Sequence, residues 1–139
     1  MVIEKRYYNV SDRRWMKGLN SDLVNKILII EPDEISIRTE EPLYISFQIT
    51  KGNECYRGVS ICSPIEFSPY VKTDDIYPFS HKKGRSKAAG RALSAFYSRR
   101  SSMPIRTRFP NRWMPKQIKL LKKVAVMFGE FKSIHETVS

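Results

Sequence analysis

The chain has 139 residues, of which 41% are hydrophobic and 28% charged, and a net charge of +11. That is enough apolar material for a folded core and argues against wholesale disorder. No apolar run approaches the roughly 20 residues that span a bilayer, and the opening MVIEKRYYNV lacks the basic-then-apolar order of a secretory leader. A single cytoplasmic domain, 1–139, is therefore expected.

In chain order, VIEKRYYNV reads as a short strand. SDRRWMKGLNSDLVNKI follows, with Ser11 or Asp12 as a helix N-cap and Trp15, Leu19 and Leu23 on one helical face. Gly18 and Asn20 weaken that pattern, which predicts one broken helix or two short ones. KILIIEPDEISIRTEE holds two β-rich runs around Pro32-Asp33 and reads as a hairpin. The strongest β signal is LYISFQIT, then KGN, then ECYRGVSICS, where Leu43, Ile45, Phe47 and Ile49 alternate with Tyr44, Ser46, Gln48 and Thr50. Cys55 and Cys62 are an odd number of residues apart on this second arm and point to opposite faces, so they read as free thiols.

Residues 64–80 form a long loop rich in proline and aromatics, a length that in a compact domain marks a functional or mobile segment. A helix is then predicted from near Lys83. On its wheel Ala88, Ala89, Ala92, Leu93, Ala95 and Phe96 share one side, and Lys87, Arg91, Ser94 and Ser98 the other. Residues 99–115 are too proline-rich and irregular for a helix. The last predicted helix is PKQIKLLKKVAVMFGEFKSIHE, opened by Pro115, with Leu120, Leu121, Val124, Met127, Phe128, Phe131 and Ile134 on one face and Lys119, Lys122 and Lys123 opposite. The expected fold is α+β: an antiparallel sheet of three to five strands packed against two or three helices, ending in this amphipathic helix.

Charge is distributed very unevenly. Residues 1–75 hold ten Lys/Arg and twelve Asp/Glu, whereas residues 76–129 hold fourteen Lys/Arg and no acid. Unbroken like charge repels itself in a compact state, so a polyanionic partner is expected to offset it. Lys and Arg that neutralise phosphates release condensed counterions, and guanidinium groups bond phosphate oxygens in pairs. Lys82, Lys83, Arg85, Lys87 and Arg91 are the candidate phosphate contacts. Arg99, Arg100, Arg106, Arg108, Arg112, Lys119, Lys122 and Lys123 extend the track, and Phe109 and Trp113 offer stacking surfaces for RNA or DNA. Gly84 and Gly90 would let a ligand approach the backbone.

Other chemistries are less well supplied. An acidic face of a host protein or ribonucleoprotein, including a defence complex, is the alternative partner, because Arg, Tyr and Trp dominate protein interfaces. An anionic membrane is disfavoured, since the apolar helix faces are needed to cover the sheet. His81, beside Lys82 and Lys83 and downstream of Tyr70 and Tyr77, is a weak candidate for acid–base catalysis in metal-independent RNA cleavage, with no second histidine or carboxylate nearby in sequence. Asp74-Asp75 is not a metal motif, the cysteines and histidines have no zinc spacing, and there is no glycine-rich phosphate loop, so no metal or cofactor is expected.

GVSICSP, an aromatic-containing loop and FSHKKGRSKAAGRALSA together resemble small bacteriophage accessory proteins. In those, a strand ends in a Cys-x-Pro-like turn, and a Phe and a Lys-Lys/Gly-Arg run open an alanine-rich helix with a second Gly-Arg. Cys62, Pro64, Phe79, Lys82, Lys83, Gly84, Arg85, Ala89, Gly90, Arg91 and Ala92 carry the match. The resemblance implies a phage or mobile-element origin and a host-cytoplasmic location, and assigns no activity. The order helix, antiparallel strands, then a helix with Lys-Lys and Ala-Ala is also similar, at the level of fold, to the double-stranded RNA-binding domain.

Overall fold

The computed structural model describes residues 2–41, 44–61, 81–103, 105–107 and 131–133. They belong to two compact units, residues 1–103 and residues 104–139. The first contains β1 (Val2–Asn9), a 3-10 turn (Arg13–Met16), α1 (Ser21–Ile29), β2 (Glu34–Glu41), β3 (Tyr44–Lys51), β4 (Glu54–Ile61) and α2 (His81–Tyr97). Its strands form one antiparallel sheet in the order β1-β2-β3-β4. This is the expected α+β architecture.

The period-two pattern sets the register. Ile35 and Ile37 of β2 lie opposite Ile49 and Phe47 of β3, and Phe47 and Ile49 in turn lie opposite Gly58 and Tyr56 of β4. These isoleucines, Phe47 and Tyr56 are buried in one core with Tyr8, Trp15, Ile27 and the alanines of α2. β3 and β4 are joined by Gly52-Asn53, a two-residue hairpin turn in which Gly52 has φ +60 and donates its N–H to Asp33 Oδ2 at 2.7 Å. Such a positive φ suits a residue without Cβ.

Two short helical pieces, not one broken helix, follow β1. Asp12 caps the 3-10 turn by accepting from the Arg14 N–H at 3.0 Å. The turn drives Trp15 fully into the core, where the indole Nε1–H donates to Val10 O at 3.0 Å and the ring meets Phe47 edge-on. Asn20 caps α1 through Oδ1, which accepts from the Leu23 N–H at 2.8 Å.

Three expectations are corrected. KILII is not the first arm of a hairpin: Lys26–Ile29 continue α1, and β2 pairs with β1 on its other side. Once Asn20 nucleates the helix, Leu23, Ile27 and Ile30 recur on one helical face, and burying that face outweighs the β propensity of the isoleucines. In the second unit, β5 (Ile105–Thr107) pairs in parallel with β6 (Phe131–Ser133). Arg106 is thus in a strand and not in irregular chain, where β-branched Ile105 and Thr107 favour extended backbone. The final helix does not run through Phe131–Ser133; Gly129 just before them is a poor residue for a helix interior. Cys62, residues 64–80, Arg108, Phe109, Arg112, Trp113, Lys119, Lys122 and Lys123 lie outside the described residues.

Candidate nucleic-acid interface

The centre of the basic segment is α2, whose alanines recur at helical spacing. Ala88, Ala89, Ala92, Leu93 and Ala95 are buried against β3 and β4. Close approach depends on Gly58 of β4. A Cβ there would sit 2.6 Å from Arg91 Cβ and closer still to the Ala88 carbonyl oxygen and the Ala92 nitrogen. The bare glycine backbone is the seat of the helix. Gly84 has a related role, since a Cβ would come 2.7 Å from Ile45 Cδ1. It is used by the sheet and not by a ligand, whereas at Gly90 the space within 4 Å is open.

The N-terminal end of α2 is fastened to the 3-10 turn. Arg85 Nη1 donates to the carbonyl oxygens of Arg14 (3.2 Å) and Lys17 (3.0 Å), and Ser86 Oγ donates to Gly18 O at 3.0 Å. Gly18, at φ +84, lies against the Lys82 backbone. These contacts bring Arg13, Arg14 and Lys17 beside Lys82 and Arg85. The cationic corner therefore includes residues from the chain's mixed-charge half, which the segment-by-segment charge count missed. Arg14 is held by Asp12, whose carboxyl is pulled down to about 2 by the Arg14 guanidinium and backbone N–H.

Arg91 is not on the outward side of α2 as the wheel predicts. It is half-buried, its Nη1 donates to Val59 O, and burial lowers its pKa. With Gly58 beneath, the side chain has room to run along the sheet edge. The outward side carries Lys83, Lys87, Gly90, Ser94 and Tyr97; Lys83, Lys87 and Tyr97 are exposed, Tyr97 to 64%. Lys82 is exposed, as is His81, the first residue of the helix.

At its C-terminal end α2 closes with an arginine in an unusual place. The Arg99 N–H donates to Phe96 O at 3.2 Å and the Arg100 N–H to Ala95 O at 2.9 Å, the paired bonds of a Schellman cap. The residue between helix and turn is Arg99, at φ +56, a position usually taken by glycine. Its guanidinium lies over the Phe96 ring at 5.3 Å, the middle ring of an edge-to-face series joining Tyr56, Phe96 and Tyr97. The chain then runs parallel to the edge of β4, with the Arg57 N–H donating to Ser101 O (3.1 Å) and the Met103 N–H to Arg57 O (2.9 Å). This ties the backbone of β4 at Arg57 to the segment that follows Arg99 and Arg100.

The ion pairs among the described residues are Arg6–Glu4, Arg14–Asp12, Lys26–Asp22 and Arg38–Glu40, all between near neighbours in sequence. None of them engages Lys82, Lys87, Arg99 or Arg100. Among the described residues no group of three His, Cys, Asp or Glu side chains could hold a metal, and no helix is long and apolar enough to cross a membrane. No protein-family model, curated protein or solved structure matches the chain.

Proposed function

We propose that the protein binds nucleic acid through the phosphate backbone, along the outward side of α2 and the turn that follows it. The observation that carries this reading is that Lys82, Lys87, Arg99 and Arg100 are exposed and form no ion pair with a described carboxylate, while nearby acids are used locally. Lys83 adds to the same side. Lys17 and Arg13, both exposed, widen it at one end. Arg85 and Arg91 act as positioning residues that hold α2 to the 3-10 turn and to β4. A helix of 17 residues is about 25 Å long, so this track spans several successive phosphates of an extended strand.

Fluorescence anisotropy with labelled RNA and DNA across a salt series tests the proposal. Affinity should fall steeply with salt, with a log–log slope of about −3 to −5 for four to six neutralised phosphates, and Lys82→Glu with Lys87→Glu should reduce that slope by about 2. Binding that ignores salt would count against the proposal.

A second reading, docking on an acidic face of a host protein or ribonucleoprotein in the host cytoplasm, draws support from exposed Tyr97 beside Arg99. A pull-down from lysate with and without nuclease separates the two: a protein partner retained after nuclease and high salt favours docking. RNA cleavage abolished by His81→Ala, with binding intact, would instead establish the catalytic alternative.

A further inference from the structure

The outward side of α2 changes character along its length. Lys83, Lys87, Gly90, Ser94 and Tyr97 recur at alternating steps of four and three residues, which keeps them on one face of the helix. That face begins in cations and ends in an aromatic ring, and Arg100 follows three residues later. By helical rise Lys87 and Tyr97 are about 15 Å apart along the axis. Lys87 and Arg100 form none of the ion pairs found among the described residues, so cations open to an anion precede and follow the ring along the chain.

Tyr97 is 64% exposed. A lone exposed aromatic is ordinary, but this one is held in place. Phe96 meets its ring edge-to-face at 5.2 Å, Tyr56 braces Phe96 at 5.1 Å, and the Arg99 guanidinium covers Phe96 at 5.3 Å. The ring is therefore ordered before a ligand arrives, and a platform ordered in advance loses little entropy on binding. Gly90 gives an independent indication. A Cβ there would meet nothing within 4 Å, so packing does not require glycine, and glycine inside a helix weakens it relative to alanine. Gly58 and Gly84, by contrast, are demanded by their neighbours. What Gly90 provides is a low point on the outward face, where Ser94 Oγ is turned down onto Gly90 O at 3.1 Å and a bound chain can lie close to the helix.

We infer that the ligand of this face is a single nucleic-acid strand, with one unpaired base stacked on Tyr97, the adjoining sugar–phosphate over Gly90 and Ser94, and phosphates at Lys87 and Arg100. This rests on the function proposed above and names its substrate class. Charge complementarity selects a polyanion. The exposed ring selects one whose base faces are free, since a duplex keeps those faces stacked inside and shows only base edges in its grooves. Every base has a π-face, so Tyr97 sets a preference for strandedness and not for sequence.

The test uses the full chain and fluorescence anisotropy with three DNA probes of equal phosphate number: a single strand, the same strand made abasic, and a duplex of half the length. The intact strand should bind between about fivefold and thirtyfold more tightly than the abasic one. Tyr97→Ala should abolish that preference and leave duplex binding within about twofold, whereas Tyr97→Phe, which keeps the ring, should retain it. Gly90→Gln should weaken the single strand while raising the urea midpoint. Equal binding of the intact and abasic strands to the native protein overturns the stacking assignment and leaves the backbone-binding function standing. A preference for bases that survives in Tyr97→Ala overturns it too, as does a duplex weakened by Tyr97→Ala as much as the single strand. If Gly90→Gln binds the strand as the native protein does, the path over Gly90 is wrong. If none of the three probes binds, the inference and the function above fall together.

Discussion

Replacing Gly58 by alanine is the sharpest probe of how α2 is seated. The added methyl would meet Arg91 Cβ at 2.6 Å and two backbone atoms of α2 at still shorter range. Backbone cannot rotate away as a side chain can, so the helix must lift by about 1 Å to restore ordinary contact. A gap of that size forfeits a quarter to a half of the dispersion attraction of the groups facing it, here Ala88, Ala89, Ala92, Leu93 and Ala95. Overpacking typically costs about 1–3 kcal/mol. With obstruction by main chain the upper value applies, offset by less than about 1 kcal/mol from removing glycine from a strand. A net loss of about 2–3 kcal/mol is a large share of the roughly 5–15 kcal/mol expected for a unit of this size. Urea denaturation followed by circular dichroism should show the midpoint falling by about 1–2 M. A midpoint within about 0.3 M of the native protein would refute the claim that Gly58 seats the helix.

The opposite effect is expected at Gly90, where the surrounding space is open: Gly90→Ala should stabilise by about 0.5–1 kcal/mol in the same assay. Because Arg91 is engaged by Val59 O, Arg91→Met should leave nucleic-acid affinity within about twofold and act mainly on stability, since an apolar chain of similar length can fill the site; anisotropy and denaturation together check this. Asp12 has a folded-state pKa of about 2, below its ordinary value of 3.8. Its contribution to stability is therefore complete above about pH 5 and is lost as the pH falls toward 2. Denaturation midpoints of the native protein and Asp12→Asn, measured between pH 6 and 2, should converge at the acid end, and a constant difference would contradict the Asp12–Arg14 linkage.

Part of the sheet can be read from period-two alternation, because the face under α2 imposes the same constraint on every strand that contributes to it; the opposite face escapes that reading, since Tyr44, Ser46, Ser36 and Val59 are buried as well. Ile45, Phe47 and Ile49 and their partners follow it directly. The alanine face of α2 is legible for a similar reason. What eludes sequence reading is tertiary. Ile27–Ile29 look β-forming in isolation and become helical because Asn20 caps them and Ile27 joins the core. Arg91 lies on the polar side of an ideal wheel, but the missing side chain of Gly58 opens a path along the sheet for its guanidinium. Lys17 belongs to a mixed-charge stretch of sequence and joins the basic track only through the Arg85 hydrogen bond to its carbonyl. An acid-free run of cations is visible in one dimension; its breadth depends on folding.

The two margins of the sheet are protected by different means. β4 is shielded at Arg57 by the parallel run of Ser101–Met103. β1 has no neighbour on its outer side among the described residues and instead carries exposed Glu4, Lys5 and Arg6, the first and last an ion pair. Pairing with a second copy would strip water from these charged groups, so that margin is guarded by hydration and not by like charge. Purification in high salt should therefore leave the protein monodisperse, because hydration of these groups does not depend on screening.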